Sequence, residues 1–212
     1  HINAFNFPIW GMLEKIAVNL MAGVAAVVKP SEYTSYLTEL MVKEIIDSKI
    51  LPEGSLQLIP GSGKGILDHV GHNDVVTFTG SASTGKILKS HPNILENSVP
   101  FNMEADSLNA CVLGEDAEES SDEFDIFIKE IYREMTAKTG QKCTAVRRIL
   151  VPENKIDQVQ KALITKLEKT IIGNPENKDV RMGALASKIQ VERVKENVEL
   201  LMESQEKVFD NS

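Results

Sequence analysis

The residues best suited to covalent chemistry stand in the segment 139–145, Thr-Gly-Gln-Lys-Cys-Thr-Ala. A thiol attacks an electrophile as its thiolate, and nearby cations such as Lys142 and the arginines at 147–148 favour that form. Gly140 permits a sharp turn or a close approach of the backbone to a substrate. Most free cysteines are instead small, buried hydrophobic residues. The local sequence therefore leaves both interpretations of Cys143 open.

Two further polar residues could complete such a site. Glu104 stands at the end of a predicted apolar strand, between Met103 and Ala105. Partial desolvation raises the pKa of a carboxyl group toward neutrality, which suits a general base. Asn6 lies in a constrained Phe-Asn-Phe-Pro turn, where its amide could donate a hydrogen bond to a developing oxyanion. A surface carboxylate and an ordinary turn asparagine are the alternatives for these two residues.

Three loops could meet a nucleotide. Lys29 and Glu32 follow an apolar strand. A lysine there can bind a ribose hydroxyl or a phosphate, and a carboxylate can accept hydrogen bonds from ribose hydroxyls. Gly80 and Ser81 open a predicted helix, whose first backbone N–H groups and dipole favour a phosphate. The glycine-rich loop 61–65 could serve in the same way, although a plain strand-to-helix turn is the favoured interpretation there. None of the three loops has the spacing of a Walker loop or of the Rossmann glycine fingerprint.

The elements that must position these residues alternate between strand and helix. The predicted strands are 24–28, 56–59, 75–79, 99–103 and 148–151, and the predicted helices are 9–22, 35–48, 65–70, a segment ending at 88, 124–138, 156–169 and 187–207. This alternation predicts an α/β fold with a Rossmann-like parallel sheet. The apolar run at 24–28 is typical of a strand buried on both faces. A change of pattern near Ser107 predicts two domains, at 1–107 and 108–212.

The overall composition excludes several classes of protein. The 212 residues carry a net charge of −8, which argues against nucleic acid as a partner. No apolar run has membrane-spanning length and no signal-peptide pattern opens the chain, so we expect no membrane partner. Two distant cysteines do not form a disulfide framework, which favours the cytoplasm. The acidic stretch 114–125 predicts a solvated loop and the start of a helix.

Several motifs resemble the aldehyde dehydrogenase family, in the order in which that family has them. They are Phe-Asn-Phe-Pro at 5–8, Val-Lys-Pro-Ser-Glu at 28–32, Phe-Thr-Gly-Ser at 78–81, Gly-Gln-Lys-Cys-Thr-Ala at 140–145, and the turns at 173–175 and 182–185. The segments 3–11 and 103–109 resemble one subgroup. It contains the semialdehyde dehydrogenase part of the bifunctional phenylacetate-degradation protein and related enzymes of benzoyl-CoA breakdown. The resemblance implies an aldehyde-dehydrogenase-like fold, with the second domain catalytic.

The resemblance also implies a role for each catalytic candidate. Cys143 would attack the aldehyde carbon, and Asn6 with the backbone N–H of Cys143 would hold the oxyanion. After hydride transfer, Glu104 would activate the water that hydrolyses the thioester. In this chain the family's Leu-Gly-Gly-Lys after the glutamate is replaced by Ala105-Asp106-Ser107-Leu108. We therefore expect the backbone after Glu104 to differ from that of the family.

The implied cofactor is NAD or NADP. Lys29, Ser31 and Glu32 are the implied residues at the adenosine side, with Lys29 at the ribose, and Gly80 with Ser81 would approach the pyrophosphate. Glu32 would favour the free ribose hydroxyls of NAD, but the family tolerates NADP beside such a glutamate. Family members are longer, so the chain resembles a central portion. The full-length protein is expected to form a homo-oligomer.

The predicted function is the NAD(P)-dependent oxidation of an aldehyde, an acyl-CoA semialdehyde of aromatic degradation, to a carboxylic acid. One alternative is a CoA-acylating aldehyde dehydrogenase, in which CoA rather than water takes the acyl group. Such relatives generally lack the glutamate base, so Glu104 favours hydrolysis. The other alternative is a nucleotide-binding or assembly module without catalysis.

Overall fold

The computed structural model describes residues 1–210 and divides the chain into two compact units, His1–Asp106 and a second that begins at Ser107. The first unit contains α1 (Trp10–Met21), β1 (Ala26–Val28), α2 (Ser35–Asp47), β2 (Leu56–Leu58), β3 (Val76–Gly80), α3 (Ala82–Lys89), α4 (Pro92–Glu96) and β4 (Phe101–Ala105). The second contains β5 (Asn109–Val112), α5 (Asp122–Thr136), β6 (Val146–Leu150), α6 (Ile156–Glu168) and α7 (Lys188–Met202). Short 3-10 helices lie at Ile66–His69, Ala137–Gly140 and Glu153–Lys155.

The first unit is built on parallel strands. β1 pairs with β2 and β3 pairs with β4, both in parallel. Ile2 links the two pairs, because it forms parallel bridges with Lys29 and with Phe78. The N–H of Asn3 also donates to the carbonyl of Lys29 at 3.0 Å. The first residues of the chain therefore lie between β1 and β3, and the carboxyl ends of the strands share one edge.

The helices α1 and α2 cover one face of β1 and β2. Their apolar residues form a cluster with the two strands, Met12, Ile16, Ala26, Val28, Val42 and Leu56. Burial of each large side chain in such a cluster contributes about 1.5–3 kcal/mol. The prediction that the strand at 24–28 is buried on both faces is wrong. The strand begins at Ala26, and the side chain of Val27, which points away from α1 and α2, is 39% exposed.

Besides 3-10 turns, two short elements of the structure were not predicted from the sequence. One is α4, a helix that begins at Pro92 and is capped by His91, whose side chain accepts from the N–H of Asn93. The other is β5, which opens the second unit. The predicted helices at 35–48, 124–138 and 156–169 are present within two residues at each end, whereas α7 ends well before the predicted 207.

The second unit packs α5 and α6 against the parallel pair of β5 and β6. Its buried cluster consists of Leu113, Ala117, Phe124, Phe127, Ile128, Ile131, Val159 and Leu163. The acidic stretch forms turns and then the first turn of α5, where Asp122, Glu123 and Asp125 suit the positive end of the helix dipole. Among residues 1–210, no helix has both the length and the apolar character needed to cross a membrane.

The pairing of β5 with β6 is irregular at one position. Asn109 pairs with Val146 and Ala110 pairs with Arg148, which leaves Arg147 as an extra residue. A bulge of this kind bends the strand and redirects a side chain. It lies directly after the segment that carries Cys143.

Candidate active site

The candidate residues of the first unit follow the ends of neighbouring parallel strands. Glu104 pairs in register with Thr79, which precedes Gly80 and Ser81. Lys29 pairs with Ile2. The half-buried Asn6 lies in a bend four residues after Ile2. The shared direction of the strands thus brings the predicted polar loops to one edge of the first unit, where ligands of parallel sheets bind.

Lys29 is held close to its own backbone. Its ammonium donates to the carbonyl of Pro30 at 2.9 Å. Burial lowers the pKa of Lys29, and the carboxylate of Glu32 opposes that shift. Ser31 and Glu32 form the turn before α2, with the carbonyl of Ser31 accepting from the N–H of Thr34 at 3.2 Å. The exposed carboxylate of Glu32 and the ammonium of Lys29 are suitable partners for ribose hydroxyls.

Gly80 and Ser81 form the turn from β3 into α3. Ser81 is the N-cap of α3, and its hydroxyl accepts from the N–H of Thr84 at 3.3 Å. A Cβ at Gly80 would lie 2.6 Å from Cζ of Phe78, so a side chain there would collide with that ring. The glycine therefore has a packing reason besides any approach to a cofactor. The loop at 61–65 leads into the 3-10 helix at Ile66–His69, an arrangement that both interpretations of this loop share.

Asp106 also contacts the start of α3. Its carboxylate accepts from the N–H of Ala82 at 3.2 Å, and its own N–H donates to the carbonyl of Gly80 at 3.3 Å. The φ of Asp106 is +53°, in the left-handed region that favours glycine and that Asp tolerates better than most residues. The residue that stands in place of the family's first glycine thus has a backbone conformation that favours glycine. Our expectation that the backbone after Glu104 differs from that of the family stays a prediction.

Glu104 belongs to a side-chain network that the sequence did not reveal. The hydroxyl of Thr79 donates to Oε2 of Glu104 at 3.3 Å, and it accepts from Nζ of Lys15 at 2.5 Å. Lys15 also donates to Oδ1 of Asn3 at 3.0 Å. Asn3 is only 6% exposed, and its Nδ2 has no hydrogen-bond partner within residues 1–210. The network holds an ammonium one hydroxyl away from the candidate base.

The exposure of Glu104 differs from the sequence prediction. The sequence predicts a partly buried side chain, and the structure has an exposed one. Burial lowers the pKa of Lys15, and the carboxylates of Glu104 and Glu14 oppose that shift. A signal for Lys15 was present in the sequence, because it lies on the same face of α1 as the buried Met12 and Ile16. A lysine at such a position usually has a specific partner.

The segment before Cys143 has an unusual backbone. Lys138, Thr139 and Gly140 all have positive φ, at 54°, 57° and 69°. A Cβ at Gly140 would also lie 3.3 Å from the carbonyl oxygen of Met135. These residues end α5 and reverse the chain, which leaves Cys143 exposed as a free thiol. The alternative of a small buried cysteine therefore does not hold for Cys143 in the second unit.

The ammonium of Lys142 has a carboxylate as its partner in the structure. It forms an ion pair with Glu134 on α5 at 2.7 Å, and the two side chains are 16% and 13% exposed. The hydrogen bond from Lys142 lowers the pKa of Glu134, and burial partly opposes that shift. Lys138 is the lysine that interacts electrostatically with the thiol. Desolvation lowers the pKa of Lys138 most, the charge of Lys142 lowers it further, and Cys143 opposes both effects.

The two arginines after the cysteine bind backbone carbonyls. The guanidinium of Arg147, which the bulge redirects, donates to the carbonyls of Gly140 at 3.1 Å and Lys142 at 3.4 Å. Arg148 donates to the carbonyl of Leu108 at 2.6 Å. Their observed contacts are therefore with the backbone that shapes the loop.

The turn at 182–185 is bonded to the cysteine loop. The hydroxyl of Thr139 donates to the carbonyl of Gly183 at 3.1 Å. The N–H of Ala186 donates to Oε1 of Gln141 at 2.9 Å. Two motifs that are distant in sequence are thus parts of one local structure in the second unit.

This ordered set of loops is that of a known family, and the comparison with families bears this out. The Aldehyde dehydrogenase family model matches residues 1–211. The chain belongs to the aldehyde dehydrogenase family. Its predicted family and its α/β fold class are confirmed.

The most similar proteins include a 3,4-dehydroadipyl-CoA semialdehyde dehydrogenase from Aromatoleum evansii, which is 46% identical over 98% of this chain and 40% of its own length. A D-glyceraldehyde dehydrogenase (NADP(+)) from Picrophilus torridus is 30% identical over 98% of this chain and 41% of its own length. A crystal structure of betaine aldehyde dehydrogenase from Staphylococcus aureus with NAD+ matches 95% of this chain and 39% of that chain, with a TM-score of 0.85 and 29% identity. The chain thus spans about 40% of the length of these relatives.

Proposed function

We propose that the protein oxidises an aldehyde to a carboxylic acid with NAD or NADP, through a covalent intermediate on Cys143. The observation that carries this proposal is the exposed thiol of Cys143 on a loop whose backbone is fixed by specific side chains. Membership of the aldehyde dehydrogenase family supports the reaction class. The catalytic roles that follow are part of the proposal.

The first step is the addition of the thiol to the aldehyde. Sγ of Cys143 bonds to the carbonyl carbon as the C=O π bond breaks, and the oxygen becomes an oxyanion. The side-chain amide of Asn6 and the backbone N–H of Cys143 donate to that oxygen, which stabilises its charge. Lys138 couples electrostatically to Cys143, which raises the pKa of Lys138 against the effect of its desolvation.

The second part converts the thiohemiacetal to an acid. The nicotinamide, when bound, supplies the hydride acceptor, and a thioester remains on Cys143. Glu104 removes a proton from a water molecule, whose oxygen bonds to the acyl carbon as the bond to sulfur breaks. Thr79 donates to Glu104 and accepts from Lys15, so this pair orients the carboxylate for that step. The carboxylic acid leaves and the thiolate is restored.

The residues of the first unit fit a dinucleotide. Lys29 and Glu32, with Ser31 between them, offer a cation, a carboxylate and a hydroxyl for the adenosine ribose. Gly80 and Ser81 stand at the start of α3, where backbone N–H groups favour a phosphate. We propose NAD or NADP, since one relative is named for NADP(+) and another was solved with NAD+.

The proposed substrate is an acyl-CoA semialdehyde. The support is the identity of 46% to an enzyme named for such a substrate. A CoA-acylating reaction is the competing outcome, and the presence of Glu104 favours water as the acceptor. Product analysis with and without added CoA separates the two, because hydrolysis gives a free acid and acylation gives a new thioester.

The remaining predictions belong to this proposal. The region 1–107 binds the cofactor and the region 108–212 supplies the nucleophile, and the full-length protein forms a homo-oligomer. Both cysteines are free thiols, which fits the reducing cytoplasm as its location.

The experiment that tests the proposal replaces each cysteine in turn in the full-length protein. Cys143→Ala should abolish aldehyde oxidation and leave NAD affinity, measured by calorimetric titration, within about twofold. Cys111→Ala is the matched control and should keep near-normal turnover, because Cys111 is half-buried and burial raises the pKa of its thiol. Near-normal turnover in Cys143→Ala would contradict the proposal. Cofactor binding without turnover in the unmodified protein would support the nucleotide-binding module instead.

A further inference from the structure

The side chain of Asn109 binds two backbone carbonyls of the nucleophile loop, one at the cysteine and one two residues after it. Its Nδ2 donates to the carbonyl of Cys143 at 2.5 Å and to the carbonyl of Ala145 at 3.2 Å. An amide nitrogen carries two hydrogens, so both are used here.

Asn109 is well placed to hold these carbonyls still. It is the first residue of β5 and pairs in register with Val146, the first residue of β6. Ala145 next to that pair is fully buried at 0% exposure. The amide therefore projects from a paired strand end and not from a loop, and sites built on strands hold geometry better than sites built on loops.

Asn109 acts on a different part of the loop from Arg147. The guanidinium binds the carbonyls of Gly140 and Lys142, before the cysteine. The amide binds the carbonyls of Cys143 and Ala145, at and after the cysteine. Together they fix the backbone on both sides of the thiol. An exposed loop with three left-handed residues would otherwise have several accessible conformations.

We propose that Asn109 is a positioning residue for Cys143. By holding the carbonyls at 143 and 145, it fixes the backbone torsions of Cys143, so that the thiol and the N–H of the same residue keep one orientation. Its catalytic consequence rests on the proposed function, because both groups act on the same carbonyl of the aldehyde. Misplacement of a nucleophile by about 1 Å can lower a rate by about 100-fold.

The test uses a graded series at this position in the full-length protein. Asn109→Ser keeps one donor, Asn109→Ala keeps none, and Asn109→Asp places an acceptor against two carbonyl oxygens. We expect kcat for aldehyde oxidation to fall in that order, by about 100-fold in Asn109→Ala, while NAD affinity stays within about twofold. A purely structural role would lower the amount of folded enzyme without producing this separation of kcat from cofactor binding.

A second measurement tests the hold on the loop without relying on activity. Hydrogen exchange followed by mass spectrometry should show faster exchange, by about tenfold, in the peptide that contains Cys143 in Asn109→Ala. The matched control is Asn197→Ala, which removes one bond of 2.7 Å from Nδ2 of Asn197 to the carbonyl of Arg193 on α7. That variant should exchange normally at Cys143 and keep its kcat.

The outcomes separate this proposal from the function on which it rests. Unchanged exchange at the cysteine peptide in Asn109→Ala would overturn the proposal, and so would faster exchange with kcat within twofold. If the unmodified protein does not oxidise aldehydes, the proposed function fails. In that case, faster hydrogen exchange confined to the Cys143 peptide in Asn109→Ala would still support the role of Asn109 in fixing the backbone of that loop.

Discussion

The candidate base in the first unit and the candidate nucleophile in the second are both near a lysine, but the two lysines have opposite arrangements. Lys15 is far from Glu104 in sequence and reaches it through the hydroxyl of Thr79. Lys142 is adjacent to Cys143 in sequence, yet its ammonium pairs with Glu134 on α5. The comparison shows that an electrostatic partner is selected by where a side chain points and not by its neighbour in the chain.

Of the variants that test this comparison, Lys15→Met is expected to have the largest effect. Lys15→Met in the full-length protein should lower kcat for aldehyde oxidation by about tenfold or more, because Thr79 and Glu104 lose the group that orients them. Lys142→Met is the matched variant in the second unit, and it should lower kcat by less than about threefold. Steady-state kinetics at saturating cofactor measure both. Equal decreases of kcat in the two variants would show that the two lysines do not differ in their effect on catalysis.

Lys142 should instead matter for stability. Lys142→Met leaves Glu134 with little exposure and without its main donor, which should cost about 2 kcal/mol of unfolding free energy. The partial compensation by Arg133, at 3.6 Å from Glu134, keeps the loss below that of a fully buried pair. Urea denaturation followed by circular dichroism gives the value. No change in the midpoint would show that the ion pair is not formed in solution.

The same pair predicts a dependence on pH. The pKa of Glu134 lies below its ordinary value of 4.5, so its contribution to stability is complete above about pH 5. That contribution is lost as the pH falls through the lowered pKa of the folded state, because protonation removes the partner of Lys142. The stability gap between the unmodified protein and Lys142→Met should therefore be constant near neutrality and shrink below pH 4.5. A gap that widens on acidification would contradict this assignment.

The smallest effects compare two helix caps. Ser81 caps α3 and Ser121 caps α5, each by accepting an N–H bond from the residue three positions on. Replacement of either by alanine should cost about 1 kcal/mol of stability. Only Ser81→Ala should also weaken NAD binding, by roughly threefold, since Ser81 is the proposed pyrophosphate residue. Calorimetric titration of both variants measures this difference, and equal affinities would remove Ser81 from the cofactor site.

Much of the first unit could be predicted from the sequence because its signals are local. The turn at Gly80 and Ser81 follows an apolar strand and precedes a helix, and the structure has this arrangement. The position of Lys15 on the buried face of α1 was a local signal, but its partners depend on the approach of α1 to β3, which no local pattern encodes. The prediction that Glu104 is partly buried is wrong for a similar reason, because the exposure of a side chain at a strand end depends on what packs over it.

The cysteine loop shows where such reasoning ends. Glycine signals a left-handed residue at 140, but Lys138 and Thr139 give no such signal and adopt the same conformation. Their backbone is fixed by contacts that are remote in sequence, such as the bond from Thr139 to Gly183. The strand β5 was missed because it borders an acidic stretch that dominates the local pattern.

The central claim is that Cys143 carries an acyl group that Glu104 helps to release. Glu104→Gln in the full-length protein should trap that group, since the amide cannot accept the proton of the attacking water. Incubation with NAD or NADP and a CoA-linked semialdehyde should give a burst of about one equivalent of reduced cofactor, while steady-state turnover falls by about 10²–10⁴-fold. Mass spectrometry of the Cys143 peptide should show the acyl adduct. Turnover near that of the unmodified protein, with no adduct on Cys143, would contradict the account.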